Sequence, residues 1–294
     1  MYYRRKIILS LLELFNGHLD KISLYKLLFL ISERQDKPDY DFIPYHYGCF
    51  SYSVNADLIT MVKKELLEES NSHYSSLVKS EILKTLKPKD ITILQQVKKY
   101  YGSMNAHKLM LHTYINFPYY AINSIKAKDI LTSDQLQKVL TAKPSSHDNT
   151  LFTIGYEGIS LEAYLNKLIK NDIKVLVDVR RNPLSMKFGF SKGQLQRYCE
   201  NLNIVYIHIP EVGIDADQRQ TLHTQADYDQ LFKVYRDVNL PKTIDYQSRI
   251  LELLIEHKRI ALTCFEANVC QCHRTHLANA IAQLPKFEYH VKHI

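Results

Sequence analysis

The sequence predicts an α/β protein, a mostly parallel sheet with helices on both faces, preceded by a mainly helical N-terminal domain. Three observations carry this expectation. Beyond residue 150, short runs of β-forming residues alternate with amphipathic segments, the pattern of strands joined by crossover helices. Before residue 140, apolar side chains recur at three- and four-residue intervals. Between them, Thr-Ala-Lys-Pro-Ser-Ser-His-Asp-Asn-Thr at 141–150 has no large apolar side chain and one proline, as a linker would. The expected domains are therefore 1–140 and 151–294.

The elements follow in order. Arg4-Arg5-Lys6 and the apolar run from Ile7 to Phe15 read as a first helix, because Glu13 interrupts the run and no small-residue cleavage site follows. Ser53 is expected to cap a helix carrying Val54, Leu58, Met61, Val62 and Leu66, and Asp90 and Ser103 to start two more. The second domain reads as strand 151–155, helix 161–170, strand 173–179, helix 192–202 and strand 204–209. Two helices within 227–257 separated by Pro241, strand 259–264, a helix after His273 and a final strand 287–291 complete it. The 173–179 run, apolar with Asp178 near its end, suits a buried central strand.

With 46% hydrophobic and 23% charged residues in 294, the chain is neither disordered nor collagen-like. No apolar run approaches the roughly 20 residues of a membrane span, so no membrane association is expected. The net charge of +7, most of it in the first half, leans towards a polyanionic partner. Five cysteines, an odd number, suit a reducing, cytoplasmic setting better than a disulfide framework.

In an open parallel sheet, ligands bind beyond the carboxyl ends of the strands, where loops converge and helix N-termini point their amides. Polar residues concentrate there: Tyr156 and Glu157 after the first strand, Asp178, Arg180 and Arg181 after the second, His208 and Glu211 after the third and Glu266 after the fourth. Cys272-His273-Arg274 then opens the last long helix. Asp178 needs a cation, since an unpaired buried carboxylate is costly, and Arg180 or Arg274 could be that partner. Gly155 and Gly158 fit neither the dinucleotide fingerprint nor the Walker spacing and suit a plain tight turn. Cys264, Cys270, Cys272, His273 and His276 invite a zinc reading, but the single residue between Cys270 and Cys272 and the lack of a second cysteine pair argue against a structural site, so no metal and no cofactor is expected. A thiol nucleophile at Cys270 or Cys272, beside His273 near a helix start, is an alternative to inert buried sulfur.

Thr153-Ile154-Gly155-Tyr156-Glu157-Gly158, Val177-Asp178-Val179-Arg180 with Pro183, Ser185 and Phe190, then Tyr206, Cys264-x-Glu266 and Cys272-His273-Arg274 together resemble the family called domain of unknown function 488. The resemblance covers about residues 150–294. It implies an α/β domain with a polar site and no assigned reaction, and it points towards nucleic-acid or nucleotide processing. The loop Glu211-Val212-Gly213-Ile214 departs from the glycine pair that many relatives carry there. In the first half, Leu24 to Leu30, Tyr40-Asp41-Phe42, Tyr45 to Ser51 and Asp57-Leu58 are similar to Panacea-type antitoxin helical domains, with Cys49 in place of a proline. That resemblance implies a protein partner for the N-terminal domain.

The residues themselves suggest an enzyme acting on nucleic acid or nucleotide. In this reading Asp178, Glu266, Glu157 and His273 do the proton and charge chemistry, and Tyr156, Arg180, Arg181, Ser185, Tyr206, Cys272 and Arg274 hold substrate. Its specific form is metal-independent hydrolysis of a base–sugar glycosidic bond, whose cation-like transition state suits carboxylates. Two alternatives stand beside it: a non-catalytic nucleotide or modified-base sensor, and thiol chemistry at Cys270 or Cys272. In the N-terminal domain, Tyr40, Tyr45, Tyr47, Phe50 and Tyr52 with Arg4, Arg5, Lys63 and Lys64 suit either base stacking and phosphate contact or a small aromatic core.

Overall fold

The computed structural model describes residues 1–79, 81–215, 218 and 224–294. The chain divides into two compact units, Met1–Lys143 and Pro144–Ile294.

The first unit is helical with small antiparallel sheets. Its elements are α1 (Tyr3–Leu14), β1 (His18–Asp20), α2 (Lys21–Ser32), β2 (Ile43–Tyr45), β3 (Gly48–Phe50), α3 (Tyr52–Lys63), β4 (Leu67–Glu69), β5 (His73–Ser76), α4 (Pro88–Tyr101), α5 (Ala106–Asn116), α6 (Ala127–Ile130) and α7 (Ser133–Ala142). Strands β1, β5 and β4 form one antiparallel sheet in that order, and β2 and β3 form a hairpin. Helix α2 is apolar almost all round and fills the centre of the core with Leu24, Leu27, Leu28, Phe29 and Leu30.

Three helix starts differ from the sequence expectation. Ser51, not Ser53, caps α3: it leaves β3 with extended backbone (φ −135°, ψ 123°) and its hydroxyl accepts from the Val54 N–H, whereas Ser53 is already helical. Asp90 lies in the first turn of α4, whose opening residue is Pro88, and Asn105 rather than Ser103 caps α5. Ser51→Ala is accordingly expected to cost about 0.5–2 kcal/mol of stability in a urea unfolding curve, and Ser53→Ala almost nothing. The small strands of this unit have three or four residues, too few for alternation to register.

The second unit contains β6 (Thr150–Gly155), α8 (Leu161–Lys170), β7 (Val175–Asp178), α9 (Lys192–Glu200), β8 (Val205–His208), α10 (Gln225–Val234), α11 (Ile244–His257), β9 (Arg259–Cys264), α12 (His273–Ile281) and β10 (His290–His293). Its five strands are all parallel, in the order β10-β6-β9-β7-β8. Every residue of β6, β9 and β7 is buried, which explains their near-continuous apolar runs, while the edge strands β8 and β10 are partly exposed. Val175, Val177, Ile260 and Leu262 face α11 and α12 through Ile250, Leu254, Leu277 and Ile281. The alternate residues point to the other face, where the Tyr164 hydroxyl of α8 donates to Thr263 at 2.8 Å. Helices therefore cover both faces.

Pro241 sits in a short 3₁₀ turn between α10 and α11, as expected of a breaker. The final strand is 290–293 rather than 287–291, because pairing with β6 begins at His290 opposite Thr150 and runs to His293; Phe287 and Tyr289 pack against the core just before it. Among the described residues, no helix is long and apolar enough to cross a membrane.

Candidate functional site

The order of the sheet puts β9 between β6 and β7, so the carboxyl ends Gly155, Asp178 and Cys264 lie side by side. A cavity of about 310 Å³ opens there, lined by Tyr156, Arg180, Arg181, Asn182, Ser185, Cys264, Phe265 and His273 together with apolar side chains.

Asp178 anchors one wall. It is fully buried and accepts from Arg180 twice, Nε to Oδ1 at 2.8 Å and Nη2 to Oδ2 at 2.5 Å, and from the Tyr206 hydroxyl at 2.5 Å. The Arg180 backbone N–H adds a further bond to Oδ1 at 3.1 Å. Of the two arginines open at the sequence level, Arg180 is the partner. Burial by itself would lower the Arg180 pKa, but the Asp178 hydrogen bonds and charge hold it well above the usual range. Burial and the Asp178 carboxylate push the Tyr206 hydroxyl up in the same way. The remaining donors of Arg180 reach the Tyr156 hydroxyl at 2.7 Å and the Phe190 carbonyl at 2.9 Å.

This differs from the expected roles. With both oxygens held by a bidentate arginine and a tyrosine, Asp178 is arranged as an anchor rather than as a base facing substrate. Tyr156 does not offer an open face for a base: its ring stacks on Phe190 at 4.2 Å and meets Phe265 edge-on. Arg274 is buried and clamps the loop after β9 by donating to the Glu266 and Ala267 carbonyls, with no Nε partner among the described residues. Glu157 serves that loop too, accepting the Ala267 N–H at 2.9 Å. Arg181 is exposed in the cavity wall and pairs with Asp215 at 2.8 Å. The Ser185 hydroxyl, also in the wall, accepts from the Lys187 N–H.

The opposite wall is built by β9 and the start of α12. His273 donates from Nε2 to the Val179 carbonyl at 3.0 Å. A carbonyl only accepts, so Nε2 carries a proton, and Nδ1 faces the Cys264 sulfur at 3.6 Å. The Cys264 sulfur also lies 3.0 Å from Glu266 Oε2, donating to it. Cys272 is fully buried behind this pair, and its thiol is pushed well up by burial and by its hydrogen bond to Cys264. Cys270, by contrast, is exposed. The sulfur atoms of Cys264 and Cys272 and a ring nitrogen of His273 lie within 4.8 Å of one another, while Cys270, whose spacing from Cys272 argues against a structural zinc site, is not part of the group. Cys264 is thus a wall residue to which sequence reasoning gave no role. Its position at a strand end was the available signal.

The family pattern of a domain of unknown function, DUF488, matches residues 160–281. Residues 160–281 are a DUF488 domain. The matched span holds Asp178, Arg180, Tyr206, Cys264, Glu266 and the Cys272-His273-Arg274 run, and leaves β6 with its Gly155–Gly158 turn and β10 outside. No curated protein matches the chain. The cavity of the DUF488 domain is completed by Tyr156, which stands just before the matched residues.

In the first unit, the aromatic turn is largely structural. Tyr40 donates to Asp57 at 2.9 Å, and Arg4 and Arg5 each pair with the same buried carboxylate. Tyr45, Phe50 and Tyr52 pack on one another around the β2–β3 hairpin. Buried Lys26 donates to the Tyr47 carbonyl and to the Cys49 sulfur, so the residue in place of the proline is tied into the core. Tyr47, Lys63 and Lys64 remain exposed.

Proposed function

We propose that the DUF488 domain is a hydrolase that takes one nucleotide unit, free or within a nucleic acid, into the cavity at the strand ends. The observation that carries this reading is the two-sided wall. Arg181, Asn182 and Ser185 offer donors suited to a phosphate on one side, and Cys264 and His273 present a sulfur and an imidazole lone pair on the other. Asp178 then works as a positioning residue: it fixes Arg180, which fixes Tyr156. Water activation falls to the Cys264–His273 wall, with the Glu266 carboxylate beside it, and cleavage of a base–sugar bond remains the favoured reaction. A reducing, cytoplasmic setting belongs to this reading, since thiols at the wall must stay reduced. The N-terminal unit would contact polymer or a protein partner through exposed groups such as Tyr47, Lys63 and Lys64.

The test is mass spectrometry of small molecules released when the full chain is incubated with unmodified DNA, base-modified DNA and RNA, alongside nucleotide binding by calorimetry. Release of a base or nucleotide is expected, and Arg181→Ala should weaken binding by roughly tenfold, as the loss of a charged hydrogen bond of about 1.5 kcal/mol would. Tight nucleotide binding without release would favour the sensor reading, and absence of both would sink the proposal.

A further inference from the structure

We propose that Cys264, Cys272 and His273 form a site for one zinc-class divalent cation, with an open coordination position facing the cavity of the DUF488 domain. The site lies in the wall used by the proposed function, yet it is tested without any substrate, so either reading can fail alone.

The geometry comes first. Metal–sulfur bonds of about 2.3 Å and metal–nitrogen bonds of about 2.0–2.1 Å at tetrahedral angles imply a sulfur–nitrogen edge of about 3.6 Å. Cys264 Sγ and His273 Nδ1 stand 3.6 Å apart. The third donor, Cys272, has its sulfur within 4.8 Å of both, and all three residues are buried. Small movements of two thiols would close the set around an ion.

The imidazole is oriented for the purpose. Its Nε2–H is held by the Val179 carbonyl, so that in the neutral ring the lone pair is on Nδ1, the atom that faces the sulfur. Metal-binding histidines are held this way, with the second ring nitrogen donating to a carbonyl or carboxylate. The donors also come from rigid parts: Cys264 ends the central strand β9, and Cys272 and His273 begin α12.

The donor types select the ion. Two sulfurs and an imidazole suit zinc and its neighbours and disfavour magnesium or calcium, which require oxygen. Binding replaces two thiol protons by one dication: both cysteines become thiolates, two protons pass to solvent, and no electron moves. Two thiolates cancel the charge of the ion, so the filled site is neutral and suits a buried position. Three protein donors also leave one position over. Cys264 and His273 line the cavity while Cys272 lies behind them, so that position opens to where a water or substrate atom would sit, as in catalytic rather than structural zinc sites.

The experiment uses the full chain. Metal content after purification without chelator is measured by plasma mass spectrometry, and the chelator-treated protein is titrated with cobalt(II), whose thiolate charge-transfer absorption reports sulfur ligation. About one ion per chain and a thiolate–cobalt spectrum are expected. Cys264→Ala and His273→Gln should each bind at least about tenfold more weakly, with Cys270→Ser binding as the parent does. His273→Gln keeps a donor for the Val179 carbonyl and removes Nδ1, so it reads ligation even if Cys264→Ala does not fold; circular dichroism establishes which variants are folded. Absence of stoichiometric ion in both measurements on the parent chain overturns the proposal, as does full retention of the ion by folded His273→Gln.

Discussion

Asp178→Ala is expected to lower the stability of the C-terminal unit by about 3–5 kcal/mol, because it leaves the Arg180 guanidinium buried without its counter-charge. The carboxylate sits where β7 ends, with its whole side chain out of water and four hydrogen bonds converging on two oxygens. The comparison that isolates the cause is a double-mutant cycle. Arg180→Met added to Asp178→Ala should cost clearly less than the two single changes together, since no orphan charge remains. Urea unfolding of the four proteins measures this. If Asp178→Ala cost under about 1 kcal/mol, the carboxylate would not be an anchor, and a direct chemical role for it would regain ground.

Gly155→Ala should have the second large effect, and through a different physical route. A Cβ on Gly155 would lie 1.9 Å from the Glu266 carbonyl oxygen, a distance no real carbon tolerates. The Tyr156 and Glu157 N–H groups both donate to the Phe265 carbonyl, so the loop cannot simply back away. Overpacking of this kind costs about 1–3 kcal/mol. The displaced loop carries Glu266 and follows directly on Cys264, so nucleotide binding should fall along with stability. Gly193→Ala, with nothing within 4 Å of the added carbon and a helical backbone, is the matching control and should be neutral or stabilising. Equal behaviour of the two variants would refute the close-approach explanation.

The sheet of the second unit was legible because its physics is local. Runs such as Val175 to Asp178 are apolar since both faces are covered, and crossover helices impose their own period between them. Strand ends then located Asp178 and Arg180, the start of the last long helix located His273, and the family resemblance added Tyr206, all without any structure. Which of these face the cavity was not legible, because that depends on partners far away in sequence. Tyr156 is withdrawn from base stacking by Phe190, and Arg274 is turned towards carbonyls of its own loop. Cys264 was visible as a strand-end residue but received no role, because its relation to Cys272 and His273 arises when the 265–271 loop folds back, which no ligand-spacing rule describes. In the first unit, Arg4 and Arg5 looked available for phosphate, but Asp57, about fifty residues on, takes both.

The position of β9 between β6 and β7 has a consequence for how the chain becomes this structure. Residues 150–155 and 175–178 leave the ribosome long before 259–264, and until the later strand inserts, each presents an open edge to whatever is nearby. The sheet is completed by contacts across roughly a hundred residues, which makes its formation slow compared with a helical bundle. A nascent or truncated chain ending before Arg259 would carry β6 unpaired and β7 with one edge open beside β8, the kind of surface that draws chaperones and aggregates. Because Cys264 ends that last-inserted central strand, the cavity wall comes into existence only when the sheet itself is closed.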